Sequence, residues 1–465
     1  MAEKYDIAIV GSGPGGYVAA IRAGQMGAKT VLIEKEVLGG TCLNWGCIPT
    51  KAFVRSAELF ADIKESESFG IKVDGAEVDL SAVVKRKDKI VKRLVGGIDH
   101  LLKKNGVDRI EGKASFIDKN YLKVVGKKTH ALQAENIIIA TGSVPSKLPI
   151  PGADLDGILS SRELLDLEEL PESMIIVGGG IIGMEFACIF QNFGVDVTVV
   201  EYLDQLVSGV DEEIAAELNR SARRRKISVK TGSEVKEIKK SAKGYEVIFE
   251  QKGKEKSIKS QKVLMAVGRR PYHQGLKTEN AGVKISDKRG AVVVNNKMET
   301  NVEGIYAVGD VTDKVLLAHV ASHQGVIAVE NIMGHDKEMN YDAVPGAIFT
   351  SPEIGTVGLT EEEAREKGIE YQLGTFPFAA SGKVMAMGER EGKVKIIAEK
   401  ETGKIIGGAI IGIEASDIIA ELTLAVNLGL KAEDLIETIH AHPTTAEVIH
   451  EAALDLKDGP IHFMN

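Results

Sequence analysis

Two cysteines separated by four residues could form a disulfide, and helix geometry shows whether such a bridge is possible. Cys42 and Cys47 lie in the segment Gly39–Lys51, which reads GGTCLNWGCIPTK. On a regular helix, residues five positions apart rise about 7.5 Å and lie about 140° apart, so that their Cα atoms are roughly 8.5 Å apart. A disulfide needs Cα atoms about 4.4–6.8 Å apart. A bridge between these cysteines therefore requires a deformed helix.

The residues around the pair provide for that deformation. Gly46 tolerates dihedral angles that other residues avoid, and Pro49 has no N–H to donate to the carbonyl of Trp45. A disulfide held in deformed backbone is the reducible kind that takes part in catalysis. The segment thus predicts a redox-active pair. The alternative is two buried free thiols, because cysteine is among the residue types most often buried.

A glycine-rich unit upstream of the cysteines predicts a dinucleotide site. The apolar strand 5–10 leads into a G-x-G-x-x-G motif, a helix over 17–26 follows, and a second strand over 30–33 ends in an acid. The motif glycines and the acid are Gly11, Gly13, Gly16 and Glu34. Glycines let the backbone approach a pyrophosphate at a helix N-terminus, and the acid accepts from a ribose hydroxyl. This order of parts favours a bound cofactor over a glycine-rich turn without a ligand.

The same unit recurs with Gly178 standing 167 positions after Gly11. Strand 173–177 enters the second motif, and strand 195–200 ends in Glu201. The motif glycines are Gly178, Gly180 and Gly183. Two dinucleotide sites in one chain predict two cofactors that exchange electrons. Because Glu201 repels the 2′-phosphate of NADP, and residues 202–206 contain no Arg or Lys, we expect the second site to prefer NAD.

Three other segments share one plan, an apolar strand that ends in glycine. They cover 136–142, 262–271 and 304–310. This pattern is typical of a backbone that passes close to a cofactor or a domain crossover, although an ordinary strand-ending turn is an equal alternative for any one of them. Asp310 ends the third segment and is predicted to bond the ribityl chain of a flavin. Cys188 lies in the apolar helix after the second motif and is expected to pack in the core.

The C-terminal part contains a candidate base. Because a residue before proline is pushed out of helical geometry and proline suits the first helical position, His442 is predicted at a helix start. Glu447 would hydrogen-bond one ring nitrogen and make the other a better base. The alternative is a plain helix cap, since neighbouring His440 and His450 have no evident role. The apolar segments before it, 405–412 and 415–429, predict an isologous homodimer.

Composition narrows the class of protein. A chain of 465 residues predicts about three domains. The net charge of −9 argues against a nucleic-acid surface, and three cysteines are too few for an extracellular disulfide framework. No apolar run approaches the 18 or so residues that span a bilayer, and a strand beginning by Tyr5 leaves no room for a signal peptide. We therefore expect a cytoplasmic protein without a membrane or nucleic-acid partner, and we predict no metal site.

Three motifs make the whole chain resemble the flavin disulfide reductase family. They are the segment 39–51 with both cysteines, Tyr306–Asp310 and His440–Glu447. The resemblance implies an α/β fold with two Rossmann-like dinucleotide-binding domains, for FAD and NAD, and a C-terminal α+β dimerisation domain. The implied boundaries are 1–145 for the FAD-binding domain, 146–271 for the NAD-binding domain, 272–341 for a central region that returns to the FAD domain, and 342–465 for the dimerisation domain.

The resemblance also implies further cofactor contacts. FAD is expected to contact Glu34, Lys51, Gly112, Thr141, Gly142, Ser143, Asp310, Leu316, Leu317, Ala318 and His319. NAD is expected to contact Val235 and Gly268, and Lys51 and Glu185 to pair near the reactive edge of the flavin. The chain departs from the family pattern at Tyr272, where Asn is frequent, and at Gln324, where an acid is frequent.

The activity implied by the resemblance is the transfer of two electrons from dihydrolipoamide to NAD. His442 of the other subunit would deprotonate a substrate thiol, the thiolate would attack Cys42, and Cys47 would remain as a thiolate beside the flavin. Glu447 would steady the imidazolium. The lipoyl group would arrive on a protein of a 2-oxo-acid dehydrogenase or glycine-cleavage complex.

Two competing readings remain. A disulfide reductase acting on glutathione or a similar thiol is disfavoured by Glu201, since many such enzymes use NADP, and the chain has no cysteine-rich tail to suggest mercury reduction. A structural subunit with a vestigial flavin would need neither the two cysteines nor His442 and Glu447.

Overall fold

The first part of the chain builds a sheet whose central strands are buried on both faces. The computed structural model describes residues 2–464. The elements of this part are β1 (Glu3–Val10), α1 (Pro14–Gln25), β2 (Thr30–Glu34), α2 (Gly40–Trp45), α3 (Cys47–Glu65), α4 (Leu80–Lys104), β3 (Asp108–Glu111), β4 (Lys113–Phe116), β5 (Tyr121–Val125) and β6 (Thr129–Ile139). The strand order is β3-β2-β1-β6-β5-β4, with parallel pairing from β3 to β6 and antiparallel pairing beyond. Such continuous apolar strands are typical of parallel sheets covered by helices.

The second part repeats the parallel sheet. Its elements are β7 (Ser143–Pro145), β8 (Ile158–Leu159), α5 (Ser161–Leu164), β9 (Ser173–Val177), α6 (Ile181–Asn192), β10 (Asp196–Val200), α7 (Glu212–Arg224), β11 (Ser228–Lys230), β12 (Ser233–Ser241), β13 (Gly244–Gln251), β14 (Lys254–Ser260), β15 (Lys262–Met265) and β16 (Arg269–Pro271). The parallel sheet has the order β11-β10-β9-β15-β8, and β12, β13 and β14 form an antiparallel sheet beside it. β7 and β16 pair where the chain enters and leaves this part.

The third part returns the chain to the first sheet. It contributes β17 (Ile305–Ala307) and α8 (Ala318–Ile332). β17 pairs in parallel with the end of β6, with Ile305 opposite Ile137. Helix α8 packs closely on α1, because Gly325 has no side chain: a Cβ there would lie 2.5 Å from the Gly15 carbonyl oxygen.

The fourth part is an antiparallel sheet with helices on it. Its elements are β18 (Gly346–Ile348), β19 (Glu353–Gly358), α9 (Glu361–Glu366), β20 (Tyr371–Pro377), α10 (Gly382–Ala386), β21 (Lys393–Glu399), β22 (Ile405–Gly412), α11 (Ala415–Leu428), α12 (Ala432–Glu437) and α13 (Glu447–Asp455). The strand order is β18-β19-β22-β21-β20, and α11 and α13 pack against the sheet. Short 3₁₀ helices lie at 66–69, 278–281, 309–312 and 378–380.

This architecture agrees with the predicted α/β class, and the differences are local. Helix α1 begins at Pro14, three residues before the predicted start, and β6 begins seven residues before the predicted segment 136–142. The segment 262–271 is two strands in different sheets instead of one. Cys188 is buried in α6, as predicted. Among the helices of residues 2–464, none has both the length and the apolar character needed to cross a membrane.

Candidate active site

Gly46 separates two helices and thereby brings Cys42 and Cys47 together. Helix α2 ends at Trp45, Gly46 has φ −137° and ψ −115°, and α3 begins at Cys47. A Cβ at Gly46 would lie 2.9 Å from the Thr41 carbonyl oxygen, so the turn has no room for a larger residue. The break in the helix therefore lies where the sequence predicted it. Both cysteines are thiols in this structure, and their side chains are hydrogen-bonded to each other.

The two thiols differ in acidity. The hydrogen bond from the Cys42 thiol, together with the positive charge of Lys51, lowers the pKa of Cys47 to about 7, although burial opposes the shift. The same hydrogen bond, burial and the charge on Cys47 raise the pKa of Cys42. Since the thiolate is the reactive form, Cys47 is the member of the pair that carries negative charge near neutral pH.

Lys51 connects the dithiol helix to the second sheet. Its Nζ donates to both carboxylate oxygens of Glu185 in α6, at 2.7 and 2.9 Å. Glu185 is buried and also accepts from the Phe349 N–H at 3.0 Å, and the Lys51 ammonium lies 4.3 Å from the centre of the Phe349 ring. The predicted pair of Lys51 and Glu185 is thus formed, at a point where three parts of the chain meet.

The first glycine of each glycine-rich loop adopts the same conformation. Gly11 has φ +103° and Gly178 has φ +105°. A Cβ at these positions would lie 2.3 Å from the Ala140 carbonyl oxygen and 2.4 Å from that of Ala266, respectively. Only glycine satisfies both the dihedral and the close approach. The two loops therefore have the same backbone conformation and the same close packing at their first glycine.

The other motif glycines fall into two pairs, one that packs tightly against the protein and one that faces space open to a ligand. A Cβ at Gly16 or Gly183 would lie 1.8 or 2.0 Å from the carbonyl oxygen of the first glycine in its own loop, so these two pack tightly. At Gly13 and Gly180 no described protein atom lies within 4 Å of the Cβ position. Both precede a helix, α1 and α6. An open space at a helix N-terminus fits the pyrophosphate of a dinucleotide.

The two acids that end the following strands are held by backbone N–H groups. Glu34 accepts from the N–H and the hydroxyl of Ser12, at 2.8 and 2.6 Å. Glu201 accepts from the N–H groups of Gly179 and Leu203, at 2.5 and 2.7 Å. Each carboxylate therefore lies against its glycine-rich loop, where it would accept a hydrogen bond from a ribose hydroxyl of a dinucleotide.

The turn after β6 and the end of β17 meet. The hydroxyl of Ser143 donates to Asp310 at 2.5 Å, and Arg269 donates to the Ser143 hydroxyl and carbonyl, each at 2.8 Å. Thr141 Oγ1 is buried without a hydrogen-bond partner among the described residues. Because buried polar atoms are nearly always satisfied, the turn fits a polar ligand such as a flavin. Sequence reasoning missed Arg269, whose only signal is a basic residue after a strand-ending glycine.

The other predicted FAD contacts lie on nearby elements. The N–H of Gly112 donates to the Glu34 carbonyl at 2.8 Å, and Gly112 lines a cavity of about 440 Å³ beside it. Gly142 has φ +69° and lies in the turn after β6. Residues 316–319 run into α8, which begins at Ala318 after Leu317, and the His319 ring contacts the Pro345 carbonyl at 2.9 Å.

The predicted NAD contacts and the two family departures have clear surroundings. Val235 is buried in β12, and Gly268 has φ +96° after β15. Gln324 is fully buried, accepts from the Gly309 N–H at 2.6 Å and donates to the Tyr341 hydroxyl at 3.0 Å. An amide can make both bonds in its neutral state. Tyr272 is covered by the Lys35 ammonium, 4.0 Å from its ring centre.

The candidate base lies in a turn before α13, so the predicted helix start at His442 is wrong. The Thr444 N–H donates to Glu447 at 2.8 Å, and its hydroxyl donates to the Ala441 carbonyl at 2.8 Å, which folds residues 441–446 into a turn. The helix begins only at Glu447. The peptide bond between His442 and Pro443 is cis.

His442 and Glu447 form a dyad. The Nδ1 atom of His442 lies 2.8 Å from Glu447 Oε1, and the imidazole is 81 % exposed, so that Nε2 faces solvent. Burial raises the pKa of Glu447, but the hydrogen bonds from Thr444 and His442 outweigh it and leave that pKa lowered. The dyad therefore pairs an ionised carboxylate with an accessible ring nitrogen.

His440, which the sequence left without a role, supports the same loop. Its Nδ1 contacts the Thr438 carbonyl at 2.9 Å, and its Nε2 contacts Glu421 in α11 at 2.8 Å. Its ring centre lies 5.2 Å from that of His450. The H-x-H spacing was visible in the sequence, but spacing alone does not tell which ring turns inward.

The dyad and the dithiol are separate within one chain. Over residues 2–464, no hydrogen bond or ion pair joins His442 or Glu447 to Cys42 or Cys47. The charged side chains that act on the dithiol include Lys51, Glu185 and Arg269.

Comparison with known proteins extends over the whole chain. The family model described as "Pyridine nucleotide-disulphide oxidoreductase" matches residues 5–325, and the model of its dimerisation domain matches residues 344–453. The dihydrolipoyl dehydrogenase of Chlamydia pneumoniae is 42 % identical over 464 residues, covering 100 % of this chain and 99 % of the relative. That of Geobacillus stearothermophilus is 41 % identical over 464 residues, covering 100 % and 98 %.

Solved structures agree. LpdA from Mycobacterium tuberculosis superposes with a TM-score of 0.90 at 28 % identity, covering 98 % of this chain and 100 % of that one. The Cu(II) complex of the HOCl-induced flavoprotein disulfide reductase RclA from Escherichia coli gives a TM-score of 0.87 at 30 % identity, with the same coverage.

Proposed function

Because the chain belongs to the pyridine nucleotide-disulphide oxidoreductase family, we propose that it oxidises protein-bound dihydrolipoamide to lipoamide and reduces NAD to NADH. The observation that carries the proposal is the cysteine pair at the Gly46 break, next to the ion pair of Lys51 and Glu185. The hydrogen bond from Cys42 and the charge of Lys51 lower the pKa of Cys47, so that it can leave as a thiolate. Relatives named dihydrolipoyl dehydrogenase match the full chain and support the same activity.

The enzyme uses FAD and NAD, the cofactors of its family. The first glycine-rich loop, Glu34, the Thr141 hydroxyl and Asp310 are the groups we assign to FAD. We assign the second loop and Glu201 to NAD. FAD, when bound, would supply the redox chemistry that links the dithiol to NAD. Lys51, paired with Glu185 beside the dithiol, supplies positive charge to the Cys47 thiolate.

In the proposed exchange the protein moves protons and sulfur bonds. His442 of the partner subunit takes the proton of a substrate thiol at Nε2, while Glu447 stabilises the resulting imidazolium. The substrate thiolate attacks Cys42 in the oxidised Cys42–Cys47 bridge, and Cys47 leaves as a thiolate. The second substrate thiol then attacks the substrate sulfur of the mixed disulfide, its proton passes to Cys42, which leaves as a thiol, and lipoamide is released.

Assembly follows from the fourth part of the chain. Residues 344–453 match the dimerisation domain of the family, so the chain forms a homodimer. We further propose that the dimer serves a 2-oxo-acid dehydrogenase or glycine-cleavage complex, whose lipoyl-bearing protein is the substrate. The domain boundaries that we propose are 1–145, 146–271, 272–341 and 342–465. A cytoplasmic location suits an enzyme whose turnover depends on a reducible cysteine pair.

The decisive experiment is an anaerobic titration of the purified, FAD-loaded protein with dihydrolipoamide, followed by visible spectroscopy. We expect a long-wavelength band from the Cys47 thiolate beside the flavin, and NADH formation once NAD is added. Glutathione disulfide with NADPH serves as the control reaction. Reduction of glutathione disulfide without any reaction with dihydrolipoamide would identify the protein as a glutathione-type reductase. Faster turnover with NADP than with NAD would overturn the role of Glu201.

A further inference from the structure

A buried lysine joins the dimerisation domain to the second nucleotide unit. Lys395 lies in the middle of β21, and its side chain is 2 % exposed. Its Nζ lies 2.9 Å from Asp211 Oδ2 and 2.6 Å from Glu361 Oε2. Asp211 precedes α7 and is 3 % exposed. Burying these charges is tolerated only when they are paired, so the two domains are tied at this point.

The ion pair belongs to a balanced cluster. Three cations face three anions: Lys393, Lys395 and Arg365 face Asp211, Glu213 and Glu361. Glu361 also accepts from the Tyr371 hydroxyl at 2.8 Å. Burial opposes the charge of Lys395, but the hydrogen bonds to Glu361 and Asp211 raise its pKa, so it is a cation throughout the physiological range.

Asp211 directly follows the loop 202–210, which contacts the second glycine-rich motif. Its Oδ1 atom accepts from the Glu213 and Ile214 N–H groups, at 3.1 and 3.4 Å, and so caps α7. The loop 202–210 begins directly after Glu201, the acid assigned to the NAD ribose. The side chain of Gln205 donates to the Val210 carbonyl at 2.8 Å and closes the loop on itself.

The middle of this loop is bound to the glycine-rich motif in a strained conformation. Val207 has φ +44°, which is rare for a β-branched residue. Its N–H donates to the Gly179 carbonyl at 2.9 Å. By contrast, Tyr202 and Leu203 at the start of the loop are 68 % and 45 % exposed. Strain of this kind persists only where the surroundings fix the backbone. The bond from the Leu203 N–H to Glu201 and the bond from the Gly232 N–H to the Leu203 carbonyl anchor the start of the loop, burial of Leu206 and Val207 anchors its middle, and Asp211 anchors its end.

We propose that Lys395 is a positioning residue for the NAD site. By holding Asp211 it fixes the end of the loop 202–210, and with it the strained contact between Val207 and Gly179 that shapes the glycine-rich motif. The dimerisation domain, which also carries the base dyad, thereby sets the geometry of nucleotide binding in its own chain. This inference rests on the proposed function, since it assigns the second motif to NAD.

Measuring NAD binding and the dithiol reaction separately distinguishes a positioning role at the NAD site from general structural support. Loss of the tie should weaken NAD binding while the dithiol reaction, which uses other elements, continues. A merely structural cluster would lower both half-reactions together. Asp211→Asn is the first variant, because asparagine keeps the oxygen that caps α7 and removes the charge that pairs with Lys395.

The experiment uses the FAD-loaded homodimer. For Asp211→Asn we expect KM for NAD and the Kd for NADH, measured by calorimetry, to rise roughly tenfold. Reduction of an artificial acceptor by dihydrolipoamide should change less than about twofold, within the usual effect of an independent site. Lys400→Met is the matched control, because Lys400 lies just beyond β21 and makes only an exposed pair with Glu370 at 3.6 Å; its KM for NAD should stay at the wild-type value.

A second variant is needed in case the buried charge that remains after a single substitution disrupts folding. Lys395→Met combined with Asp211→Asn and Glu361→Gln removes both sides of the cluster, and urea unfolding reports its stability. An unchanged Kd for NADH in either folded variant would overturn the proposal, and so would an equal fall in both half-reactions. If wild-type protein does not oxidise dihydrolipoamide, the proposed function fails, whereas calorimetry with NADH still tests Lys395.

Discussion

The acidity of Cys47 sets the pH at which the reduced enzyme reacts with alkylating agents. Because the pKa of Cys47 is lowered to about 7, the thiolate forms at lower pH than in an ordinary cysteine. We expect the rate of iodoacetamide alkylation at Cys47 to rise with a midpoint near pH 7, as measured by peptide mass spectrometry. Lys51→Met should move the midpoint upward, since it removes a cation that lowers the pKa and leaves Glu185, which raises it.

Arg55→Met is a suitable control for this measurement. Arg55 also lies in α3, but it is exposed and pairs only with Glu58 at 3.3 Å. Its removal should leave the alkylation midpoint where it is in the wild type. A midpoint near pH 9 in the wild type would contradict the hydrogen-bonded thiol pair.

The dyad makes a second prediction at the scale of single residues. His442→Gln should lower dihydrolipoamide oxidation by about 10²–10⁴-fold, the usual contribution of a general base, while NADH oxidation by artificial acceptors continues. Glu447→Gln should be milder, because the ring of His442 remains and only its Nδ1 partner changes. Steady-state rates of both reactions measure this, and an equal loss of both in His442→Gln would indicate a folding role.

Local rules explain which of these residues the sequence could identify. Glycine spacing and strand-ending acids are local, so the turns at Gly11 and Gly178 and the acids that follow them could be predicted without a structure. The helix start at His442 was wrong because Glu447 accepts from the Thr444 N–H, a bond typical of the T-x-x-E capping pattern at 444–447, which places the helix start after His442. Lys395 could not be found, since its anionic partners Asp211 and Glu361 are distant in sequence and a lysine in a strand is normally solvent-facing.

At the scale of elements, we predict that a change in the first glycine-rich loop affects only FAD binding and that a change in the second affects only NAD binding. Gly13 and Gly180 have φ near −63° and −72°, and no described protein atom lies near their Cβ positions. Alanine is therefore compatible with the protein itself. Gly13→Ala should reduce the FAD content of the purified enzyme, and Gly180→Ala should raise KM for NAD while the FAD content stays unchanged.

The physical cause in both cases would be a methyl group in the space of a pyrophosphate. Thermal unfolding of the FAD-free protein checks that neither variant is destabilised on its own. Gly97→Ala in α4, where the added methyl also meets open space, is the control that should alter neither cofactor. Loss of NAD binding in Gly13→Ala, or of FAD in Gly180→Ala, would reverse the assignment of the two loops.

At the scale of the whole molecule, the dyad and the dithiol belong to different parts of the chain and we assign them to one site across the homodimer. Cys47→Ser and His442→Gln homodimers should each be inactive with dihydrolipoamide. Random mixing of the two chains gives half heterodimers with one complete site each, so activity should return to about a quarter of the wild-type value. Activity after co-expression and purification of differently tagged chains measures this, and no recovery would place both groups in one subunit's site.

The family resemblance was visible because its motifs are short and contiguous, and it implied the pair of Lys51 and Glu185, whereas no motif indicated the contact that Phe349 makes with that pair. Three separate segments meet at the pair of Lys51 and Glu185, where the Phe349 N–H completes the contact. The positions of these segments in the sequence do not show how close they lie in the fold. Their proximity results from the packing of the folded domains.

The pairing of β17 with β6 also orders events during translation. Ile137 and its partner Ile305 are 168 positions apart, which at ribosomal rates of 5–20 residues per second is about 10–30 s of synthesis. Throughout that interval the second nucleotide unit is already emerging, while the edge of β6 at 137–139 has no neighbouring strand on that side. An unpaired apolar edge invites association with other nascent chains, so residues 137–139 are protected from it only once β17 has been synthesised.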